Sequence, residues 1–193
     1  MKKINITYPK ILFTASFVGL GSSFLAAYER VEMLKNPGDP LSCSLNPVID
    51  CGGVLGAPES AIFGPPNTFI GMVVFSILLG LSIQLLSGGV WTKFVQKTVL
   101  ALSFIMAAFG LWFFLISLYT LAKICLFCMF IWPASVFIGV YTVKYYLEQQ
   151  NKLKGWQKSI SLYLQKNHYT VVFTIFAIMV TMFLLKFQDY YFG

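Results

Sequence analysis

"TVLALSFIMAAFGLWFFLISLYTL", Thr98 to Leu121, runs for 24 residues without one charged side chain. A bilayer core about 30 Å thick needs about 20 apolar residues in a helix that rises 1.5 Å per residue, so this stretch predicts a transmembrane helix. Four more stretches read the same way: Ile11–Tyr28, Asn67–Leu86, Ile124–Tyr141 and Tyr169–Leu185. None alternates apolar with polar residues as a barrel strand does, and inside lipid the other way to satisfy the backbone is a helix. The 193-residue chain is 58% hydrophobic and 11% charged, with a mean hydropathy of +0.75. Soluble domains are about 45–50% apolar and about 25% charged. The expected fold class is all-α: a polytopic membrane protein whose spans form one domain over residues 1–193.

The net charge of +7 matters less than its placement. Lys2, Lys3 and Lys10 precede the first span, Lys93 and Lys97 separate the second from the third, and Lys144, Lys152, Lys154, Lys158 and Lys166 separate the fourth from the fifth against Glu148 alone. The loop 29–66 instead carries Glu29, Glu32, Asp39, Asp50 and Glu59 against Arg30 and Lys35. Basic loops stay in the cytoplasm, which puts the N-terminus inside, the C-terminus outside and the acidic loop outside. The positive charge is a topology signal, and no nucleic-acid patch is visible. The Met-Lys-Lys start and Ala26–Ala27 also suit a cleaved signal peptide, but four further spans follow in register, and the first is read as retained.

That topology sorts the four cysteines. Cys43 and Cys51 lie in the acidic loop, and Cys125 and Cys128 lie in "KICLFCMFIW", Lys123 to Trp132, just after the tight link that follows the third span. All four then face the oxidising side of the membrane, where disulfides form and persist. Blander readings stand beside a redox one. Cys43 and Cys51 could staple their loop, worth about 2–3 kcal/mol in the chain-entropy account. Cys125 and Cys128 could be small buried hydrophobes. Zinc is the weaker alternative, because the loop pair is C-x7-C and the one histidine, His168, is on the cytoplasmic side.

The redox reading has its own physical basis. A cysteine at a helix N-terminus meets unpaired amides and the positive end of the dipole, which favours the thiolate. Lys123 adds a positive charge, and i, i+3 spacing places both sulfurs on one helix face, close enough to bond. Around them stand Leu126, Phe127, Met129, Phe130, Ile131 and Trp132, so the pair is placed to meet a lipid-soluble electron carrier such as a quinone. The loop of almost forty residues, with Pro37, Gly38, Pro40, Gly52 and Gly53 beside its cysteines, is long enough to carry electrons from a soluble dithiol to that pair by thiol–disulfide exchange.

"CSLNPVIDCGGVLGAPESAIFGPPNTFIGMVVFSILLG", Cys43 to Gly80, followed by "CLFC" at Cys125–Cys128, resembles the vitamin K epoxide reductase family, whose bacterial members are quinone-dependent disulfide-forming enzymes. The likeness runs from about Ile11 to Tyr146. It rests on the loop cysteine pair, the Phe-Gly-x-Pro-Asn opening of the second span and the C-x-x-C that opens the fourth. The resemblance implies a four-helix bundle around a quinone (ubiquinone or menaquinone), with the fifth helix outside it. It implies that Cys128 attacks the quinone ring to form a transient adduct and that Cys125 displaces it, leaving a Cys125–Cys128 disulfide. Cys51 then exchanges with Cys125, which moves the disulfide to Cys43–Cys51, where the thiol of a soluble partner attacks Cys43. Asn67 matches the family's asparagine that hydrogen-bonds a quinone carbonyl, although after Pro65–Pro66 it is equally placed to cap a helix. Trp132, one turn beyond Cys128, either lines the quinone pocket or anchors the interface. Phe63 and Gly64 read as turn and packing, with Phe63 also a candidate beside Asn67 and Trp132 for binding the quinone, and Pro133 as a kink that widens the pocket.

Two departures qualify the resemblance. Ala57 stands where members often carry a hydroxyl about six residues after the second loop cysteine, with Ser60 the nearest replacement, and Trp132 stands where vertebrate enzymes have tyrosine, which argues against vitamin K epoxide as substrate. No thioredoxin-fold domain follows the fifth span, so the expected partner is a separate periplasmic DsbA-like, thioredoxin-fold protein, and the expected location is the bacterial inner membrane. Such a partner, poised near about −120 mV, needs an acceptor more oxidising still, which sets the direction toward thiol oxidation. The alternatives are a reductase of vitamin K-type quinone or epoxide, a non-catalytic protein with two stapling disulfides, and a DsbB-type enzyme. The last fits poorly because its C-x-x-C belongs in the first outside loop.

Overall fold

The computed structural model describes residues 7–38, 41–150 and 155–192. Lys2, Lys3, Asp39, Pro40, Lys152 and Lys154 lie outside the described residues. Among the described residues, five long helices are apolar enough to cross a membrane: α1 (Thr7–Lys35), α3 (Asn67–Leu86), α4 (Lys93–Tyr119), α5 (Cys128–Gln149) and α6 (Trp156–Lys186). Two short helices, α2 (Cys51–Leu55) and α7 (Gln188–Phe192), and a 3-10 turn at Pro58–Ala61 complete the set. The chain is thus an all-α, multi-pass membrane protein. No strand is present among the described residues beyond one isolated bridge, Ile49 with Ile124.

Most helices overrun their apolar stretches, because hydrogen-bonded turns continue past the lipid boundary where polar side chains meet water. α1 extends to Lys35, where the sequence reading stops at Tyr28, and α5 extends to Gln149 rather than Tyr141. The fifth is different: α6 leaves helical geometry at Asn167 (φ −121°, ψ 24°), two residues before the span read from sequence at Tyr169. What precedes the break is a separate helical piece with Trp156, Leu162 and Tyr163 exposed. α3 ends on Gly88 at φ +86°, a left-handed turn that glycine adopts without a Cβ clash. α4 starts on Thr92, whose Oγ1 accepts the amide of Val95 at 3.3 Å.

Four helices lie side by side in the order α3, α1, α5, α4, and α6 lies along α5 with a lesser contact to α4. Without a hydrophobic drive between helices in lipid, close approach depends on small residues. A Cβ on Gly19 of α1 would sit 2.3 Å from the Phe75 ring of α3, so that glycine is what lets the ring lie across α1. Two buried clusters result, one at each end of the bundle. One gathers Tyr8, Leu12, Phe75, Leu78, Trp91, Ile138, Tyr141 and Tyr145. The other gathers all four cysteines with Leu41, Val48, Val54, Phe113, Phe114, Leu118, Ile124 and Trp132.

Candidate functional site

The second cluster holds the chemistry. Cys43 and Cys51 form a disulfide across eight residues. Cys125 and Cys128 are reduced and buried. Cys51 Sγ lies 3.4 Å from Cys125 Sγ, although 74 residues separate them. Three sulfurs of the four are therefore in successive contact, disulfide to thiol, and Cys128 opens α5 three residues beyond Cys125.

Local sequence explains how the loop reaches that far. Asn46 Oδ1 accepts the amides of Val48 and Ile49, at 2.9 and 2.7 Å, closing a side-chain turn. On the other side, Ala122 takes a left-handed φ of +50°, which folds the link between α4 and α5 back on itself. The two bends bring Ile49 beside Ile124: the Ile124 amide donates to the Val48 carbonyl at 2.8 Å, and the Asp50 amide to the Ile124 carbonyl at 3.0 Å. Lys123 Nζ meets Asp50 Oδ2 at 2.5 Å. α2 then starts at Cys51 and ends under two donors, since the Leu55 carbonyl accepts from both Arg30 Nη1 and Ser60 Oγ. Ser60 thus supplies a hydroxyl to the helix that carries Cys51, while Ala57 is buried without one.

Three expectations are corrected here. Cys125 and Cys128 do not both ride the helix: α5 begins at Cys128, and Cys125 lies in the link before it, next to the Ile124 bridge, with only its carbonyl reaching the helix, where it accepts the Met129 amide at 3.3 Å. Lys123 does not lend a free charge to the thiols, because Asp50 takes it. Asn67 is no helix cap: its Nδ2 donates to the Glu59 carbonyl at 2.8 Å and its buried Oδ1 has no partner. The helix start still acts on Cys125. A hydrogen bond from the Cys128 thiol, then the amides of Cys128 and Phe127, outweigh burial and the nearby Glu29 carboxylate and hold the Cys125 thiol below the usual cysteine value.

Trp132 is 6% exposed and packs edge-on against Phe114, with ring centroids 4.9 Å apart, so it is a core residue rather than an interface anchor. It also lines one end of an apolar cavity of about 520 Å³ between α4, α5 and α6, walled by Ala107, Gly110, Gly139 and Met179. Pro133 sits inside α5 just below it. Asn67 and Phe63 stand apart from the sulfur cluster, at the opening of α3. Phe63 is 65% exposed, with its ring 6.0 Å from Phe109, and Phe109 stacks in turn on Phe113 of the cluster. His168 lies at the far end, beside Lys144 and Tyr141.

Two features escape a reading from sequence. Glu29, 7% exposed, accepts the amide of Ser42 at 3.3 Å and the Ser42 hydroxyl, which fastens the residue before Cys43 to α1. Asp50 accepts from Ser44 Oγ at 2.8 Å as well as from Lys123. The available signal was opposite charge close to partner cysteines: Asp50 before Cys51, Lys123 two before Cys125. A profile of the Vitamin K epoxide reductase family matches residues 10–143, which take in all four cysteines, Phe63, Asn67 and Trp132. Comparison with curated proteins finds no match.

Proposed function

Since the chain belongs to the vitamin K epoxide reductase family, a family of membrane thiol oxidoreductases that use quinones, we propose that it makes disulfides in a soluble extracytoplasmic protein and delivers the electrons to a membrane quinone. The observation that carries this reading is the 3.4 Å approach of Cys51 Sγ to Cys125 Sγ. A staple needs two sulfurs, and a third in contact is what exchange requires. Bound quinone supplies a two-electron, two-proton acceptor. The chain's own residues supply the rest.

Cys128, at the first turn of α5, is the sulfur that meets the acceptor, and its proton passes along the hydrogen bond to Cys125. Formation of the Cys125–Cys128 disulfide releases two electrons and two protons. Cys51 then attacks Cys125, Cys128 leaves, and Cys43 closes on Cys51 to regenerate the arrangement seen here. A thiol of the partner, a thioredoxin-fold protein of the DsbA type, attacks Cys43. Cys43 is only 1% exposed, so this step requires the Leu41–Val48 segment to lift.

Asn67 suits the acceptor's oxygen on chemical grounds. One N–H goes to Glu59, leaving a second donor for a carbonyl and the orphaned Oδ1 for the hydroxyl that reduction produces. Phe63, Phe109 and Trp132 offer apolar ring surface, and the cavity beside Trp132 is suited to the apolar part of a lipid-soluble molecule. Ubiquinone and menaquinone both satisfy this. With the basic loops inside, the sulfur end faces the periplasm of a bacterial inner membrane.

The test is quinone reduction by purified protein supplied with a dithiol, beside Cys128→Ala. Wild type is expected to reduce quinone, and Cys128→Ala to lose that activity while still forming the Cys43–Cys51 disulfide. No reduction by wild type, and no mixed disulfide with any soluble protein in Cys51→Ala, which leaves Cys43 to hold the partner, would leave one structural staple and two buried thiols.

A further inference from the structure

Transfer of a disulfide between the two pairs needs Cys51 and Cys125 held together, yet each sits on a segment that is not part of the helix bundle. Cys51 heads a five-residue helix and Cys125 lies in a non-helical link. The one ion pair joining these segments among the described residues is Asp50 with Lys123; the other ion pair, Lys35 with Glu32, lies within α1. Asp50 is a hub. Its Oδ2 takes Lys123 at 2.5 Å, its Oδ1 takes Ser44 Oγ at 2.8 Å, and its amide binds the Ile124 carbonyl at 3.0 Å. One residue thereby ties the neighbour of Cys43, the neighbour of Cys51 and the neighbour of Cys125. Gly53 leaves room for this, because a Cβ there would lie 2.4 Å from Lys123 Cδ and 2.9 Å from Asp50 Oδ2.

We propose that Asp50 and Lys123 form a clasp that presses Cys51 against Cys125, which makes both of them positioning residues for disulfide transfer. The proposal rests on the exchange role given to the four cysteines above. The step is balanced within the chain. Cys51 sulfur bonds to Cys125 as the Cys125–Cys128 bond breaks, then Cys43 bonds to Cys51 as the Cys51–Cys125 bond breaks. The two protons of Cys43 and Cys51 finish on Cys125 and Cys128, and no outside oxidant enters.

Magnitude separates this from an ordinary surface pair. The side chains are 40% and 22% exposed, and such a pair contributes about 0–1 kcal/mol to stability. Its loss should leave the fold standing. Positioning is steeper, since a misplacement of about 1 Å at reacting atoms can cost on the order of 100-fold. The clasp therefore governs how often two sulfurs meet much more than whether the protein folds.

The experiment measures that directly and without quinone. In a Cys43→Ala/Cys128→Ala background, the remaining Cys51 and Cys125 are equilibrated in glutathione buffers of graded potential, and the fraction bonded gives their effective concentration. Adding Asp50→Asn or Lys123→Met is expected to lower it by about 10-fold or more, Lys123→Arg to hold it within about 3-fold, and the exchange Asp50→Lys/Lys123→Asp to recover most of the loss. Unchanged effective concentration in both single variants overturns the clasp, as does a loss that neither Lys123→Arg nor the exchanged pair recovers. Quinone reduction by the four-cysteine protein, run in parallel, reports on the functional reading alone: if it is absent while the sulfur pairing responds as above, the clasp stands and the oxidase reading falls.

Discussion

The two ends of the bundle hold together by different means. At the basic end, the contacts centre on side chains of continuous helices: Tyr8 of α1 stacks on Tyr145 of α5 at 4.2 Å, Tyr8 Oη shares a hydrogen bond with Thr142 Oγ1 at 3.1 Å, and Trp91, in the loop before α4, meets both tyrosine rings edge-on. At the sulfur end, the contacts run through the loop and the link: a single parallel bridge, one ion pair, an α1 carboxylate fastening a loop serine, and sulfur on sulfur. Both ends bury an apolar cluster. The first is wired for permanence, whereas the second is wired through bonds that can be exchanged one at a time. Rigid aromatic packing at one end frees the other to make and break contacts without losing the bundle.

The two ends should differ most sharply when a sulfur is removed. Cys125→Ser should lower dithiol-driven quinone reduction by at least about 100-fold, because exchange needs every sulfur in its turn. Thermal unfolding in detergent should scarcely move. Tyr8→Ala should do the reverse. Removing a buried aromatic ring costs about 3–5 kcal/mol, read as a fall in melting temperature, while Cys51 and Cys125 keep their effective concentration. Tyr8→Phe, which deletes only the hydroxyl, should cost about 1 kcal/mol. Gly53→Ala tests the boundary between the two behaviours. The added methyl must displace Lys123, so sulfur pairing should weaken by roughly 3-fold with stability nearly unchanged.

Acidity supplies the smallest probe. Burial pushes the Asp50 carboxyl up, but hydrogen bonds from Lys123, Ser44 and Gly53, with the lysine's charge, outweigh it and leave the group below the usual carboxylate range. A carboxyl whose folded value lies below its unfolded value of about 3.9 contributes fully above that value and loses its contribution as pH falls through the folded one. The difference between wild type and Asp50→Asn in sulfur pairing should therefore be constant from neutral pH down to about 4 and shrink below it. A difference that already fades near pH 6 would point to some other group.

Much of the architecture could be read in the residues because it is local. A run such as Thr98–Leu121 has one way to satisfy its backbone in lipid, and Tyr169 opens the fifth span almost where α6 breaks at Asn167. Charge asymmetry, which sorts whole loops by side, led to the expectation that all four cysteines share one side of the membrane, while the exchange between Cys51 and Cys125 followed from the family resemblance alone. What stayed hidden depends on segments far apart in the chain. Spacing alone suggested that Cys125 and Cys128 ride one helix, but the bridge to Ile49 draws Cys125 out of it. Asn67 looks like a cap from its neighbours, and only the folded turn at Glu59 shows where its amide goes. The partner of Lys123 is 73 residues away, and its one trace in the sequence is the opposite charge beside Cys51.

The burial of Cys43 has one more consequence. A loop disulfide this deeply buried meets a thiol only while its cover is lifted, so it is sheathed much as a conductor is, and glutathione reaches it more slowly than a donor that holds the cover open. Under the proposed function, discrimination among donors would then rest on mechanical fit as well as on redox potential. The proteins oxidised would be those shaped to prise up Leu41–Val48, and a strongly reducing molecule without that shape would react slowly.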